Sequence, residues 1–122
     1  MHLDAAKPPK KADVVTTMRS YGIPIYITSV DVNLKDVSGT PEQRYQVQAN
    51  VFRDMLEAAL ESGVCSNFGI WGIGDKYSWI EWDKTYPLNS PIGDPTPFDD
   101  DYSPKPAYFA MLDVLKNAAG LR

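Results

Sequence analysis

The chain has 122 residues, which is enough for one modest domain with its own core. Its residues are 43% hydrophobic and 23% charged, ordinary values for a globular protein that argue against wholesale disorder. The formal net charge is −4 and the Lys and Arg residues form no sustained stripe, so nucleic acid is not an expected partner. No apolar run approaches the roughly 18 residues of a membrane span, so we expect a soluble chain without a membrane partner.

The first third of the chain predicts a helix followed by a strand. Residues 9–21 carry apolar side chains at close to helical spacing, and Gly22 follows as a left-handed stop. The stretch "IPIYITSVDV", residues 23–32, is rich in β-branched residues and too short for a convincing helix. We therefore expect a buried strand there, followed by a loop over residues 33–40.

The clearest helix signal lies between residues 40 and 63. Thr40 is the predicted N-cap, Pro41 occupies the first helical position, and Gln43 completes a capping box with Thr40. Gly63 is the expected stop.

The second half of the chain predicts one strand, a long loop and a last helix. We expect the strand at residues 66–72 and a proline-rich loop at 73–103, with Ser103 and Pro104 opening a helix that stops near Gly120. Strands that alternate with helices favour a parallel α/β sheet. Because two strands are a poor sheet in isolation, the pattern predicts part of a larger α/β architecture.

Alternation along the first strand divides its side chains between two faces. One face is polar only at its C-terminal end, which suits the reacting end of a (β/α)₈ barrel strand but also an ordinary strand that reaches the surface. That face contains Ile25, Ile27, Ser29 and Asp31, and the opposite face contains Tyr26, Thr28, Val30 and Val32.

Two tryptophans bracket a glycine-containing loop in "WGIGDKYSW". Trp71 and Trp79 could stack on the apolar faces of sugar rings while nearby polar groups bind hydroxyls. The alternative from the pattern alone is that both indoles belong to the core of a large loop.

The sequence indicates neither a metal site nor a cofactor. His2 is the only histidine, and a lone histidine near a terminus is more often incidental than functional. The single cysteine, Cys65, forms no internal disulfide. Asp99, Asp100 and Asp101 are more typical of a solvated loop tip than of a cation site, and no phosphate-binding glycine pattern is present.

Four segments together resemble the C-terminal portion of glycoside hydrolase family 10, the retaining endo-1,4-β-xylanases. They are "MHL", "GIPIYITSVDVNL", "CSNFGIWGIGDKYSW" and "PFDDDYSPKPAY", which span nearly the whole chain in order. The resemblance implies that residues 1–122 form the sixth helix through the eighth strand and helix of a TIM barrel, with Met1 and His2 just after the sixth strand. One chain of this kind would be an incomplete barrel.

The resemblance also implies roles for five residues. His2 would be the substrate-site histidine near the nucleophile, Asp31 would help to hold it, and Trp71 and Trp79 would surround the sugar next to the cleavage point. Ser29 stands where the family has its nucleophilic glutamate. Retaining hydrolysis needs two carboxyl groups, and the acid/base glutamate would come from the fourth strand, so we expect this chain alone to be inactive.

The resemblance leaves three functional hypotheses open. The chain is part of a xylanase that acts on xylan, a non-catalytic module that binds xylo-oligosaccharides or self-assembles, or a decayed gene product. The missing N-terminal barrel portion or a homo-oligomer would complete the barrel, since four copies of a two-stranded unit would supply eight strands. By resemblance the protein would be extracellular, although no signal peptide is recognisable at its N-terminus.

Overall fold

A computed structural model describes residues 1–82 and 93–121 of the chain, except for the side chains of residues 81 and 82. Within these residues the regular elements follow the order β1, α1, β2, α2, β3, α3, α4, with a 3₁₀ turn before α3. Their bounds are β1 His2–Asp4, α1 Lys11–Ser20, β2 Ile25–Asn33, α2 Pro41–Ser62, β3 Cys65–Ile70, the 3₁₀ turn Asp75–Tyr77, α3 Trp79–Trp82 and α4 Pro106–Ala118.

The strands form one parallel sheet in the order β1-β2-β3, as the alternation of strands and helices predicts. The expectation of only two strands is wrong, because residues 2–4 pair with the end of β2 in the register His2↔Asp31. A strand of three residues is too short to show periodicity. With three strands in the described part of each chain, copies of the chain do not add up to a barrel of eight, so the counting argument from four two-stranded copies fails.

The ends of α2 follow the capping signals of the sequence. At the start of α2 the Thr40 hydroxyl accepts a hydrogen bond from the Gln43 backbone, and the Gln43 side chain accepts one from the Thr40 backbone. At its end Gly63 adopts the left-handed conformation, with φ of 69°. The last helix starts later than predicted, at Pro106.

A bulge interrupts the alternation of β2. Ile27 pairs with Phe68 and Val30 pairs with Ile70, so β2 has one residue more than β3 in this interval. Ile27 therefore lies with Val30 and Val32 in the hydrophobic core, and the predicted face shared by Ile27 and Asp31 is wrong.

The core lies between the sheet and the helices that cover it. Helix α2 supplies two of its largest side chains, Phe52 and Met55, which are less than 2% exposed. Beyond the end of β3, residues 93–95 lie beside β2 and bond to its backbone. Val32 N donates to Pro95 O at 3.0 Å, and Leu34 N donates to Gly93 O at 2.8 Å. The core thus supports the C-terminal end of β2, where Asp31 lies.

Candidate functional site

The candidate site is a cluster of three side chains centred on Asp31. Its Oδ2 atom lies 2.8 Å from Nδ1 of His2 and accepts a hydrogen bond of 2.7 Å from Nε1 of Trp79. Because an ionised carboxylate can only accept, Nδ1 of His2 carries the proton in this arrangement. The rings of His2 and Trp79 meet edge to face, with centroids 5.2 Å apart. One buried oxygen therefore fixes both an imidazole and an indole.

The sheet and one loop bring these residues together. The parallel register sets His2 directly opposite Asp31, and Trp79 opens α3 after the loop that follows β3. Asp31 is fully buried, whereas half of the His2 side-chain surface is exposed. The carboxylate is thus an internal support and the imidazole faces outward. Oδ1 of Asp31 has no hydrogen-bond partner within the described part of the chain.

The two predicted sugar-binding indoles are both accessible. Trp71 is 51% exposed and Trp79 is 41% exposed, so the alternative that they are core residues of a large loop is wrong. Trp71 follows β3 directly and donates its backbone N–H to Val30 O at 2.8 Å. Gly72 then turns the chain with a φ of 98°, which favours glycine.

Ser29 lies in the bulged part of β2, two residues before Asp31, and is half-buried. Its backbone carbonyl accepts a hydrogen bond from the backbone nitrogen of Met1. Its hydroxyl forms no hydrogen bond with His2 or Asp31 among the described residues, so the structure does not join Ser29 to the cluster through its side chain.

A second buried cluster, which the sequence did not predict, lies beside the first. Nζ of Lys105 donates to Oδ2 of Asp75 at 2.7 Å, and the two residues are 3% and 1% exposed. Burial raises the pKa of Asp75 and lowers that of Lys105, each against the attraction of the opposite charge. Asp75 belongs to "WGIGDKYSW" and Lys105 to "KPAY". The motifs were visible in the sequence, but nothing in their spacing of 30 residues indicated a contact.

Buried polar side chains of α2 extend this second cluster toward β2. Gln48 is fully buried and donates to Val32 O at 2.9 Å and to Asp94 O. Arg44 donates to Leu34 O at 3.1 Å. The predicted helix was correct, but its buried face is partly polar because it satisfies backbone carbonyls at the end of β2.

The described ranges, 1–82 and 93–121, contain neither a metal-binding cluster nor a membrane-spanning helix. No group of three or more His, Cys, Asp or Glu side chains in these ranges is arranged to hold a metal ion. No helix in these ranges combines the length and apolar composition needed to cross a membrane.

The chain has parallel strands flanked by helices and a histidine–carboxylate–tryptophan cluster at one end of its sheet. These features define a class of α/β protein with a candidate site at the carboxyl ends of its strands. The family model of glycosyl hydrolase family 10 matches residues 1–114. The chain belongs to this family, and the resemblance on which the sequence interpretation rested is confirmed.

The relatives include several xylanases. The chain is 33% identical over 96 residues to endo-1,4-beta-xylanase B of Thermotoga neapolitana, covering 78% of the chain and 26% of that protein. It is 31% identical over 121 residues to endo-1,4-beta-xylanase B of Neocallimastix patriciarum, covering 97% of the chain and 12% of that protein. The chain therefore spans about a quarter or less of these relatives.

Solved structures agree with the family assignment. Native xylanase 10B from Thermotoga maritima matches with a TM-score of 0.84 and 29% identity, covering 100% of this chain and 36% of that one. Xylanase 10B from Thermotoga petrophila, in complex with xylobiose, matches with a TM-score of 0.81 and 27% identity, covering 97% of this chain and 35% of that one. The described α/β piece thus has the fold of part of a family 10 TIM barrel.

Proposed function

We propose that this chain is the C-terminal segment of the catalytic barrel of a retaining endo-1,4-β-xylanase. In this assignment β1 is the end of the sixth strand rather than a segment just after it, a revision that the pairing of residues 2–4 with β2 supports. The segment runs from there through the sixth helix to the eighth strand and helix. The observation that carries the proposal is the hydrogen-bonded cluster of His2, Asp31 and Trp79 at the carboxyl ends of the strands. Active sites of TIM barrels lie at that end.

The proposal gives each residue of the site a role. Trp71 and Trp79 stack on sugar rings, His2 contacts the substrate through the side of its ring that faces away from Asp31, and Asp31 holds both His2 and Trp79. Support comes from the exposure of both indoles beside a buried carboxylate. Aromatic faces of this kind bind the apolar faces of pyranoses, and the polar groups select hydroxyls.

Ser29 occupies the position of the nucleophilic glutamate in this proposal. A serine hydroxyl is neutral and shorter than a glutamate side chain, and no base hydrogen-bonds to it in the described residues. Retaining hydrolysis requires two carboxyl groups about 5–5.5 Å apart. The segment alone is therefore inactive, and the other barrel strands come from the rest of a polypeptide or from a partner chain. The protein is extracellular, an assignment that rests on the family alone.

A calorimetric titration with xylohexaose tests the sugar-binding role of Trp71 and Trp79. We expect Trp71→Ala and Trp79→Ala to weaken binding at least about tenfold each, which corresponds to about 1.4 kcal/mol. Tyr21→Ala is the matched control, because Tyr21 is also an exposed aromatic, at 64%, but lies at the other end of the sheet after α1. Equal binding by all four proteins would contradict the proposed site.

A test of position 29 as the nucleophile position requires a complete barrel. Ser29→Glu in such a barrel is expected to release xylose oligomers with retained anomeric configuration, while the protein with Ser29 releases none. If the Ser29→Glu barrel binds xylohexaose but hydrolyses no xylan, the catalytic assignment of position 29 fails and the second candidate, a non-catalytic binding module, stands.

A second candidate is a non-catalytic module that binds xylo-oligosaccharides. The combination of Ser29 with two accessible indoles favours it, because the features for stacking are present where a catalytic carboxylate is absent. Binding of xylohexaose without product, even after the barrel is completed and position 29 is Glu, would distinguish this candidate from the xylanase.

A further inference from the structure

The buried ion pair of Asp75 and Lys105 joins the loop after β3 to the start of α4. Lys105 is the N-cap residue of α4, and Asp75 begins the 3₁₀ turn. Taking two charges out of water is costly, and a buried pair of this kind often contributes little net stability compared with apolar residues. The pair therefore calls for an explanation other than stability alone.

Asp75 uses both carboxylate oxygens to connect three segments. Oδ1 accepts hydrogen bonds of 2.8 Å from the backbone and the hydroxyl of Thr96, and Oδ2 accepts the bond from Lys105. Lys105 also donates to Asp94 O at 2.7 Å and lies over the ring of Tyr45, 4.7 Å from its centroid. These contacts fix the 3₁₀ turn against residues 94–96 and against α4.

The 3₁₀ turn leads directly to the tryptophan of the candidate site. Ser78 N donates to Asp75 O at 2.9 Å, and Asp75 N donates to Phe98 O at 3.1 Å, so the backbone of Asp75 is fixed on both sides. Trp79 follows Ser78, and its indole N–H reaches Asp31, which also holds His2. Hydrogen bonds at both ends of the chain segment from Asp75 to Trp79 thus connect Lys105 with the imidazole.

We propose that Asp75 and Lys105 are positioning residues, which hold Trp79 against Asp31 and thereby keep the His2 ring in its orientation at the sugar site. The sugar-binding part of this inference rests on the proposed function, whereas the structural part concerns only the residues of this chain. Neither residue touches the sugar.

The experiment uses NMR of the whole chain without sugar. His2 is the only histidine, so its ring nitrogens give a single set of signals, and Trp79→Phe identifies the Trp79 indole among the three tryptophans. In Lys105→Met and in Asp75→Asn we expect the Trp79 Nε1–H to exchange with solvent at least about tenfold faster and the His2 Nδ1 signal to move. The backbone amide of Phe52, in the core of α2, serves as the internal reference for overall stability.

Lys11→Met is the matched control. Lys11 also pairs with acidic residues, Glu57 and Glu61, at 2.9 and 3.0 Å, but these pairs are partly exposed and join α1 to α2 rather than to a residue of the site. We expect it to leave the His2 and Trp79 signals unchanged. If Lys105→Met does not fold, Thr96→Val removes one hydrogen bond from Asp75 at nearly constant volume and tests the same connection.

Two results would overturn the proposal. One is that the His2 and Trp79 signals stay unchanged in Lys105→Met or, where that variant does not fold, in Thr96→Val. The other is that Trp79 Nε1–H exchange accelerates only as much as that of the Phe52 amide, which would show a purely structural role. Titration with xylohexaose then separates the two proposals. If the unchanged protein binds no xylohexaose but the signals move as expected, the proposed function fails and the positioning role stands.

Discussion

Asp31 shows how a single side chain can organise a site. One of its oxygens accepts hydrogen bonds from the imidazole of His2, 29 positions earlier in the chain, and from the indole of Trp79, 48 positions later. The resemblance to a family implied that Asp31 helps to hold His2 and that Trp79 lies beside the sugar. It did not imply the hydrogen bond between Trp79 and Asp31, and it gave no part to Asp75 or Lys105. Their pairing depends on a loop and a helix start that meet only after folding.

Asp94 allows a test of the buried polar cluster by pH. Burial, and next the negative charge of Asp75, raise its pKa to about 6, while Lys105 and Arg44 act in the opposite direction. An unfolded aspartate has a pKa of about 3.9, so between about pH 4 and pH 6 the folded chain binds more protons than the unfolded chain. The contribution of Asp94 to stability is therefore most favourable below about pH 4 and is lost as the pH rises through 6.

Asp94→Asn removes this dependence. Its backbone has a φ of 33°, which asparagine tolerates well. After allowance for partial exposure, we expect the variant to be more stable by about 1 kcal/mol near pH 7.5 and unchanged near pH 4, measured by urea unfolding. Asp100→Asn, at an exposed aspartate, is the control and should change little at either pH. If Asp94→Asn raised the free energy of unfolding equally at both pH values, the raised pKa of Asp94 would not be the cause.

At the scale of elements, the bulge in β2 decides which side chains face the core. It lies beside Gly69 of β3, where a Cβ atom would come within 2.9 Å of Thr28 O and 3.2 Å of Thr28 C. These are backbone atoms of the neighbouring strand, which cannot move without disturbing the sheet. Glycine at position 69 therefore permits the close approach of the bulged strand.

Gly69→Ala is expected to lower the free energy of unfolding by about 1–3 kcal/mol, the usual cost of forcing extra volume into a packed position. Ser66→Ala is the control, because it introduces an alanine at an exposed position of the same strand. Urea unfolding monitored by circular dichroism measures both. If the two variants unfold at the same urea concentration, the bulge does not depend on Gly69.

At the scale of the molecule, the described sheet has two strands, β1 and β3, that each pair on one side only. An apolar groove of about 460 Å³ lies between α2, β3 and α4, and its lining includes Leu60 and Leu115, which are 44% and 50% exposed. In a closed barrel both strand edges pair with neighbouring strands. The chain alone thus exposes surface that favours association.

Light scattering on a size-exclusion column tests this expectation. The mass of the isolated chain should exceed 13.6 kDa and should rise with concentration. Leu60→Glu with Leu115→Glu should reduce the association, whereas Leu121→Glu, at a residue that is 62% exposed but does not line the groove, should not. A constant mass of one chain at all concentrations would show that the exposed surface does not drive association.

Within the described residues, the sequence by itself determined α1, α2 and α4, the capping box of α2, the glycine after each of these helices, two of the three strands, and the family. It predicted a loop where the 3₁₀ turn and α3 lie, and it began α4 too early. Capping boxes, left-handed glycines and β-branched runs are local signals, and each acts within a few residues of where it is read. The pairing of β1, the bulge, and the contact of Asp75 with Lys105 were decided only by the tertiary structure. They join residues that are between 29 and 41 positions apart, and such contacts depend on how the sheet, the loop and the last helix pack together.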